Sequence, residues 1–328
     1  MFFGLDGPFV VVYHHLTDDD KDPLVSQLGV TTSPEVFVSH MRFFAKNFDL
    51  VSASELLSPK APRRSLLITF DDFYRSVLDV GGPILRELNA PSIFFLNPAV
   101  VMSETLSLDN LLSLAAEQLG MKELSFCLGL ESCSVPTIKH LILDHVAAMR
   151  PPRIEEVKAR ILQVLGTTVT AIRRDSRLFL DEDDVRALSD YQIDVGNHSM
   201  THAFFRSLSA PELTWQIEES RTALQRLSGK PVSCMSVPYG SEKDLTPKAL
   251  AVARSCGHKT IFLVHGRSNR FRRDSDLFFR IDMKNTRPEL LPIKLHVTPG
   301  LRSVRSWLTR RAQGSILAYP VYKDTHQR

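Results

Sequence analysis

The length, composition and charge of this chain exclude several broad classes of protein. With 328 residues, 43% of them hydrophobic and 23% charged, the chain can bury a large core in one or two domains, so disordered and collagen-like classes are excluded. Residues 1–253 carry 24 Lys and Arg against 32 Asp and Glu, whereas residues 254–328 carry 16 against 5, so their net charges are −8 and +11. The basic end could face the acidic body, an anionic substrate, a membrane surface or nucleic acid.

The beginning of the chain and its cysteines give no sign of secretion. The apolar run at 9–13 is too short for a signal peptide, no basic residues precede it, and no apolar span of 18 residues occurs anywhere. The four cysteines lack CxxC spacing, so we expect free thiols rather than a zinc ribbon or a thioredoxin motif. We therefore predict a soluble, cytoplasmic protein that could also contact a membrane peripherally.

The first third of the chain alternates between apolar runs and helical patterns. The predicted elements, in chain order, are a strand at 9–13, a helix opened by Ser33, Pro34 and Glu35, a short strand at 49–53, a strand at 66–70, a helix at 74–88 and a strand at 91–96. We expect Gly81, Gly82 and Pro83 to interrupt the helix at 74–88. A strand, a helix and a second strand within about thirty residues predict a βαβ unit.

Helical patterns without strand signals then run from about residue 102 to 174, which we interpret as an insertion. The pattern does not decide whether this insertion is a lid or an interface. The core resumes with a helix starting at 180–184, a strand at 192–196, a helix at 209–227, a strand at 231–237, a helix at 246–256, and strands at 259–264 and 277–283. Repeated strand-then-helix units predict an α/β fold with a parallel sheet, open or closed into a barrel. The predicted divisions are 1–101, first part of the core; 102–174, helical insertion; 175–295, second part of the core; and 296–328, basic C-terminal tail.

Two adjacent carboxylates, Asp71 and Asp72, end the predicted strand at 66–70. Neighbouring side chains on a strand point to opposite faces, so the pair can serve one pocket only if the strand stops there and the backbone turns. Sites of α/β proteins lie at the carboxyl ends of parallel strands. The alternative is that one Asp caps the following helix, which is the usual role of a single Asp at such a place.

His198 and His202 are four residues apart, just after the strand at 192–196. If this loop forms one helical turn, both imidazoles face the same way, which is a spacing that metal sites use. Because they follow a core strand, both can converge with Asp71 and Asp72 at one end of the sheet. Two neutral imidazoles and one carboxylate suit Zn²⁺ or another divalent transition metal, and the remaining carboxylate could take the proton from metal-bound water.

Three motifs in this order resemble those of the NodB-homology polysaccharide deacetylases, carbohydrate esterase family 4. They are the run Thr69–Asp72, the run His198–His202 and the turn Pro238–Gly240, each placed after a predicted strand. The resemblance extends from Val10 to about Met283, except for the insertion. It implies a distorted (β/α) barrel and the metal-dependent hydrolysis of an N-acetyl group from an amino sugar.

The resemblance also implies a role for each matching residue. Asp71 matches the general base of the family, whereas Asp72, His198 and His202 match its metal ligands. Tyr239 lies where a backbone N–H helps to hold the oxyanion, a role that needs a donor aimed at developing charge. The expected cofactor is a divalent transition metal, Zn²⁺ first, with Co²⁺, Ni²⁺ or Fe²⁺ as alternatives.

The chain departs from the family pattern at two positions. Ser236 takes the place of an Arg that often orients the base, and we hypothesise that Arg280, on another strand, supplies the missing cation. Many members also carry a late His as general acid, and His296 matches it poorly because prolines on both sides replace a clean strand. We prefer His14, at the end of the first strand, as the acid that protonates the leaving amine.

The residues leave two other functions open. A glycosidase could use the two aspartates directly, but adjacent residues do not easily stand about 5–9 Å apart across a bond, and the histidines would be idle. A catalytically silent relative that binds a glycan or another partner is the second alternative, because the family's Arg and late His are missing. No G-x-S-x-G, P-loop or G-x-G-x-x-G motif supports other chemistries.

The expected substrate is an N-acetylated amino sugar, either in a polysaccharide or, given the absence of a secretion signal, on a nucleotide or lipid carrier. The basic tail, which includes Arg302, Arg305, Arg310 and Arg311, suits a phosphate-bearing substrate or an anionic membrane face. We expect no nucleic-acid partner, because the charge of the tail is not interleaved with aromatic residues.

Overall fold

The structure is a computed structural model that describes residues 7–19, 21–102, 105–130, 135–264, 269 and 276–295. Cys133, His296 and the basic tail therefore lie outside the described residues. Within those ranges Cys127, Cys234 and Cys256 are free thiols. None of the helices in these ranges combines the length and the apolar character needed to cross a membrane.

Seven parallel strands among the described residues close into a barrel, and three short strands lie beside it. The strands are β1 (Phe9–Tyr13), β2 (His15–Leu16), β3 (Thr31–Thr32), β4 (Asp49–Leu50), β5 (Ser65–Asp72), β6 (Ser92–Leu96), β7 (Ile193–Asn197), β8 (Cys234–Ser236), β9 (Thr260–Val264) and β10 (Leu277–Asp282). The order around the barrel is β1, β5, β6, β7, β8, β9 and β10, which returns to β1. Strand β4 pairs with the first two residues of β5, and β2 pairs with β3 in a separate sheet.

Helices connect most of these strands. The α-helices that lie wholly within the described ranges are α1 (Pro34–Asn47), α2 (Ala53–Leu56), α3 (Gly82–Glu87), α4 (Pro98–Val101), α5 (Leu108–Leu128), α6 (Ile138–His140), α7 (Pro151–Leu165), α8 (Val169–Asp175), α9 (Glu182–Ala187), α10 (Ala210–Thr214), α11 (Ser220–Ser228) and α12 (Pro247–Ser255). Helix α1 starts as its sequence predicts, because the Ser33 side chain accepts a hydrogen bond from the Val36 N–H and Pro34 occupies the first turn.

Side chains alternate between the inside and the outside of the barrel. The inner cluster contains Val10, Leu67, Ile93, Phe95, Cys234, Phe262 and Phe278. Their neighbours along the strands pack outward, in two clusters that also include residues of the helices. Because side chains repeat every second residue, Thr69 and Asp71 continue the inner face that begins at Leu67, and Arg280 continues that of Phe278. Polar side chains therefore replace apolar ones at one end of the barrel interior.

The segment between β6 and β7 is helical throughout its described residues. Helices α5 and α7 contribute Leu111, Leu112 and Ile161 to the same apolar cluster that contains Phe70 of the barrel. Toward the end of this segment the Leu180 N–H donates to the Phe73 carbonyl at 2.9 Å, just after β5. The predicted helical insertion thus packs against the barrel, while its boundaries at 102 and 174 stay predictions.

The sequence pattern was misleading at the glycines after β5. Gly81, Gly82 and Pro83 do not interrupt the helix, because a π-helical turn at Val77–Gly81 runs directly into α3. Proline is tolerated in the first turn of a helix, where its missing N–H has no intrahelical partner to lose. A Cβ at Gly82 would lie 2.9 Å from the ring of Tyr191, so the small residue permits close packing there.

Candidate metal and catalytic site

The two aspartates at the end of β5 face the same site because the backbone turns between them. Asp72 has a φ of 81°, a left-handed conformation that few residues other than glycine adopt. The imidazole Nε2 of His198 lies 3.9 Å from Asp71 Oδ2 and 3.6 Å from Asp72 Oδ1. Both carboxylates thus reach one histidine, although they are neighbours on a strand.

The loop from His198 to His202 brings its two imidazoles together without the helical turn that the spacing suggested. Ser199 and His202 have positive φ values of 68° and 61°, so the loop reverses direction through left-handed residues. The ring centroids of the two histidines are 5.0 Å apart. His202 Nε2 lies 3.6 Å from Asp72 Oδ1, as His198 Nε2 does. The residues predicted to converge do so, by a different local path.

Two buried asparagines that the sequence reasoning missed hold this loop in place. The Asn97 amide donates to the carbonyls of His198 and Ser199 from the end of β6. The Asn197 carbonyl oxygen accepts from the Ser199 N–H at 2.9 Å and from the Ser220 hydroxyl at 2.7 Å. Each asparagine directly follows or ends a strand, and that position is the only signal that could have marked it.

The donor atoms of Asp72, His198 and His202 lie within 4.8 Å of one another, which suits a single metal ion. His198 Nδ1 is 2.9 Å from the carbonyl oxygen of Ser236, which can only accept, so Nδ1 carries the proton and Nε2 presents its lone pair. Burial lowers the pKa of His198 to about 4, against the opposing effect of Asp71, so the ring is neutral at pH 7. A neutral imidazole is the form that binds a metal.

The second histidine is held by Asp109, the second residue of α5. His202 Nδ1 lies 3.2 Å from Asp109 Oδ2, so its Nε2 also faces Asp72. Burial alone would lower the pKa of His202, but the hydrogen bond to Asp109 and the nearby carboxylates raise it. The Tyr239 hydroxyl donates to the same carboxylate, at 3.1 Å from each oxygen. Sequence reasoning missed Asp109 because an acid in the first turn of a helix is common.

Arg280, the residue hypothesised to supply a cation beside Asp71, forms an ion pair with that carboxylate. Its guanidinium donates to both oxygens of Asp71, at 2.7 and 2.6 Å, and to the hydroxyls of Ser236 at 2.5 Å and Thr69 at 3.2 Å. Burial would raise the pKa of Asp71, but the charge of Arg280, the charge that His198 carries only at low pH and the hydrogen bonds from Arg280 together hold that pKa well below its usual range. Asp71 is therefore an ionised carboxylate with a fixed orientation.

His14 and Tyr239 border the same site. Tyr13 pairs with Phe70 across β1 and β5, so His14 lies level with Asp71 and contributes to the lowering of its pKa. Tyr239 has a φ of 60°, and its backbone N–H has no acceptor among the described residues. A Cβ at Gly240 would lie 2.6 Å from the backbone N of Val264, so this tight turn requires glycine.

The fold and the site together define a class of protein. Its members have a parallel barrel that carries an Asp/His/His cluster beside a second, buried aspartate. The family model for polysaccharide deacetylases matches residues 58–261. The chain belongs to this family, which confirms the family that the motifs suggested. A comparison with curated proteins found no match.

Several solved structures share the fold. The deacetylase PplD of Streptococcus pyogenes, in complex with acetate, has a TM-score of 0.56 at 12% identity, covering 88% of this chain and 96% of that one. The polysaccharide deacetylase BC0361 of Bacillus cereus also has a TM-score of 0.56 at 12% identity, with coverage of 88% and 68%. A de-N-acetylase of Aggregatibacter actinomycetemcomitans has a TM-score of 0.53 at 16% identity, with coverage of 84% and 94%. The predicted (β/α) barrel is confirmed.

Proposed function

We propose that this protein is a metal-dependent hydrolase that removes N-acetyl groups from an amino-sugar substrate. The observation that carries the proposal is the separation of two roles within one site. Asp72, His198 and His202 group their donor atoms within 4.8 Å, while Asp71 is paired with Arg280 and lies 3.9 Å from His198. One carboxylate can bind a cation while the other stays free to accept a proton.

Asp72, His198 and His202 would hold the metal ion. When bound, a divalent transition metal supplies Lewis-acid chemistry, which polarises the amide carbonyl and makes a water molecule more acidic. One carboxylate with two neutral imidazoles is a donor set typical of Zn²⁺ sites that keep an open position, and we propose Zn²⁺ ahead of Co²⁺, Ni²⁺ and Fe²⁺.

Asp71 accepts the proton of the water that attacks the acetamide carbonyl. Two hydrogen bonds from Arg280 fix the plane of its carboxylate, and the Ser236 hydroxyl lies 3.4 Å from Oδ2. This pairing keeps Asp71 ionised, and it also makes the carboxylate a weak base. Proton transfer to such a weak base requires a more acidic water, and a cation held by Asp72, His198 and His202 would supply that acidity.

Two other groups would act on the oxygen and on the nitrogen that are bonded to the carbonyl carbon of the acetamide. The Tyr239 N–H donates to the carbonyl oxygen, on which negative charge develops during attack. His14 gives a proton to the nitrogen, so that the sugar leaves as a neutral amine. Both groups border the end of the barrel where Asp71 lies.

The family supports an N-acetylated sugar as substrate, and two structural relatives, one a deacetylase and one a de-N-acetylase, agree with this class of reaction. We propose a polysaccharide or a nucleotide- or lipid-linked sugar. A cytoplasmic location and membrane contact through the basic tail stay predictions.

An acetate-release assay on chito-oligomers and on UDP- or lipid-linked N-acetylglucosamine tests this function, together with elemental analysis of the purified protein. We expect about one transition-metal ion per chain, acetate release from at least one substrate, loss of release with EDTA and recovery on adding Zn²⁺ or Co²⁺. Bound metal without acetate release from any sugar would instead support the catalytically silent alternative. Release that is insensitive to EDTA would contradict the metal dependence.

A further inference from the structure

The first helix of the insertion contributes a side chain to the metal-binding cluster of the barrel. Asp109, in the first turn of α5, has only 13% of its side chain exposed, and its carboxylate contacts both His202 Nδ1 and the Tyr239 hydroxyl. None of the three family motifs contains this residue. Its position allows it to act on two residues that belong to two different motifs.

We propose that Asp109 is a positioning residue, which fixes His202 for metal binding and makes metal affinity depend on the docking of α5. This inference rests on the proposed function. A carboxylate that accepts the Nδ1 proton of a ligand histidine fixes its tautomer and its ring orientation, and it makes the opposite nitrogen a stronger donor. In this structure that opposite nitrogen, His202 Nε2, is the one that faces Asp72 at 3.6 Å.

The two histidines of the cluster are oriented from two different parts of the chain. His198 Nδ1 donates to the Ser236 carbonyl, which is backbone at the end of β8. His202 Nδ1 donates to a side chain of the insertion instead. Removal of the Asp109 carboxylate should therefore free the His202 ring to rotate, while the His198 ring keeps its orientation.

Helix α5 is fixed at the end that carries Asp109. The Ser107 hydroxyl caps the helix by accepting from the Asp109 N–H at 3.2 Å. The Asn110 amide donates to the Leu24 carbonyl at 2.9 Å, and the Ser113 hydroxyl donates to the Pro23 carbonyl at 2.8 Å. These bonds tie the start of the insertion to the loop between β2 and β3, so the carboxylate projects from a rigid element.

Asp109 also contacts two members of a row of three adjacent rings. The rings of His202 and Tyr239 have centroids 4.6 Å apart, and the Tyr239 ring stacks on Phe204 at 3.4 Å with an interplanar angle of 2°. Because one carboxylate bonds the first two members of this row, a shift of Asp109 would disturb the ligand and the turn that presents the Tyr239 N–H together.

The test compares Zn²⁺ dissociation constants, measured by competition with a chromogenic chelator, in the full-length protein. We expect Asp109→Ala to weaken Zn²⁺ binding by about 10- to 100-fold. Asp109→Asn, which keeps an acceptor oxygen but loses the charge, should lose less. Glu117→Gln is the matched control, because Glu117 lies on the same helix and bonds Ser26 and Gln27 away from the cluster. It should change the constant by less than about threefold.

A spectroscopic readout separates positioning from a general effect on folding. The Co²⁺-loaded protein should show a visible absorption spectrum that changes in Asp109→Ala and is unchanged in Glu117→Gln, while circular dichroism and thermal unfolding verify that both variants are folded. If Asp109→Ala does not fold, Asp109→Asn is judged by the same two measurements.

Folded Asp109 variants with the wild-type Zn²⁺ constant and Co²⁺ spectrum would overturn this inference alone, provided that the wild type binds metal and releases acetate. A wild type that binds no metal would overturn the proposed function and this inference with it.

Discussion

Two sides of the site differ in what holds them in place. The base side consists of Asp71, Thr69, Ser236 and Arg280, all of which lie on barrel strands. Asp71 and Arg280 are 2% and 0% exposed, and they form a bidentate pair inside the barrel. Because these strands form the closed sheet, the position of Asp71, the proposed proton acceptor, is set by the core of the fold.

The proposed metal side consists of Asp72, His198 and His202, and it depends on loops and on the insertion. Asp72 and His202 adopt left-handed backbone conformations, and the His202 ring is held by Asp109 of α5. Such conformations cost free energy and persist only where the surrounding contacts enforce them. The two sides should therefore fail separately: substitutions on the base side should abolish chemistry with the metal retained, whereas those on the metal side should release the metal.

Asp71→Asn should break the base side alone, with the largest effect on turnover. We expect kcat for acetate release to fall by about 10³-fold, because general base catalysis typically contributes 10²- to 10⁴-fold. The metal content should equal that of the wild type, since Asp71 is not a member of the ligand cluster. Asp190→Asn, on the exposed surface, is the control. Parallel loss of metal and activity in Asp71→Asn would erase the distinction between the two sides.

Arg280→Met tests whether the buried pair fixes the base side. Removal of one partner leaves Asp71 as an unpaired buried charge, so we expect the free energy of unfolding to fall by about 3–5 kcal/mol, as measured by urea denaturation. The double variant Asp71→Asn with Arg280→Met should recover part of this loss, because no unpaired charge remains. A double variant less stable than Arg280→Met itself would argue that Arg280 acts through packing alone.

His14→Ala sharpens the assignment of the acid. We expect acetate release from sugar amides to fall by about 10²-fold with unchanged metal content. An aryl acetate, whose leaving group needs no proton, should still be hydrolysed at nearly the wild-type rate. His140→Ala, which changes an exposed histidine of α6, serves as the matched histidine control. Equal losses for the amide and the aryl ester would remove His14 from the role of acid.

The smallest expected effect is a pH dependence of the free energy of unfolding, which comes from a histidine that packs near the metal side. The His258 ring lies 3.1 Å from the amide of Asn197, the residue just before the His198–His202 loop. Burial lowers the pKa of His258 to about 4. The unfolded chain binds a proton at this residue below about pH 6.5, whereas the folded chain does not until about pH 4, so stability is lost as the pH falls through this window. We expect His258 to contribute a loss of about 1 kcal/mol between pH 7 and 5.5.

Urea denaturation at the two pH values measures this loss, and the pH dependence should be smaller in His258→Gln. An equally steep dependence in that variant would assign the effect to other groups, such as the buried His15, whose pKa burial also lowers to about 4.

The strands and the predicted ligand set could be anticipated because each depends on local signals. Buried strands appear as short apolar runs, and parallel strands bring the residues that follow them to one end of the sheet. These signals alone predict that Asp71, Asp72, His198 and His202 lie at one end of the sheet. The same signals do not decide whether the sheet is open or closed, and only the resemblance to a family favours the barrel.

The support of the site could not be anticipated, because it depends on contacts between residues far apart in the chain. Asp109 looks like an ordinary first-turn acid of α5, and Asn97 and Asn197 look like ordinary residues at strand ends. The path of the His198–His202 loop could not be anticipated either, since spacing constrains where two side chains can meet but not which backbone conformation brings them together; a helical turn was only one way to do so.

A crystal structure of the Zn²⁺-loaded protein, with anomalous differences recorded at the zinc edge, would show which carboxylate binds the metal. We expect one strong peak bounded by Asp72, His198 and His202, with Asp71 still paired with Arg280. A zinc ion ligated by Asp71, or no peak at this end of the barrel, would contradict the division of the site into a metal side and a base side.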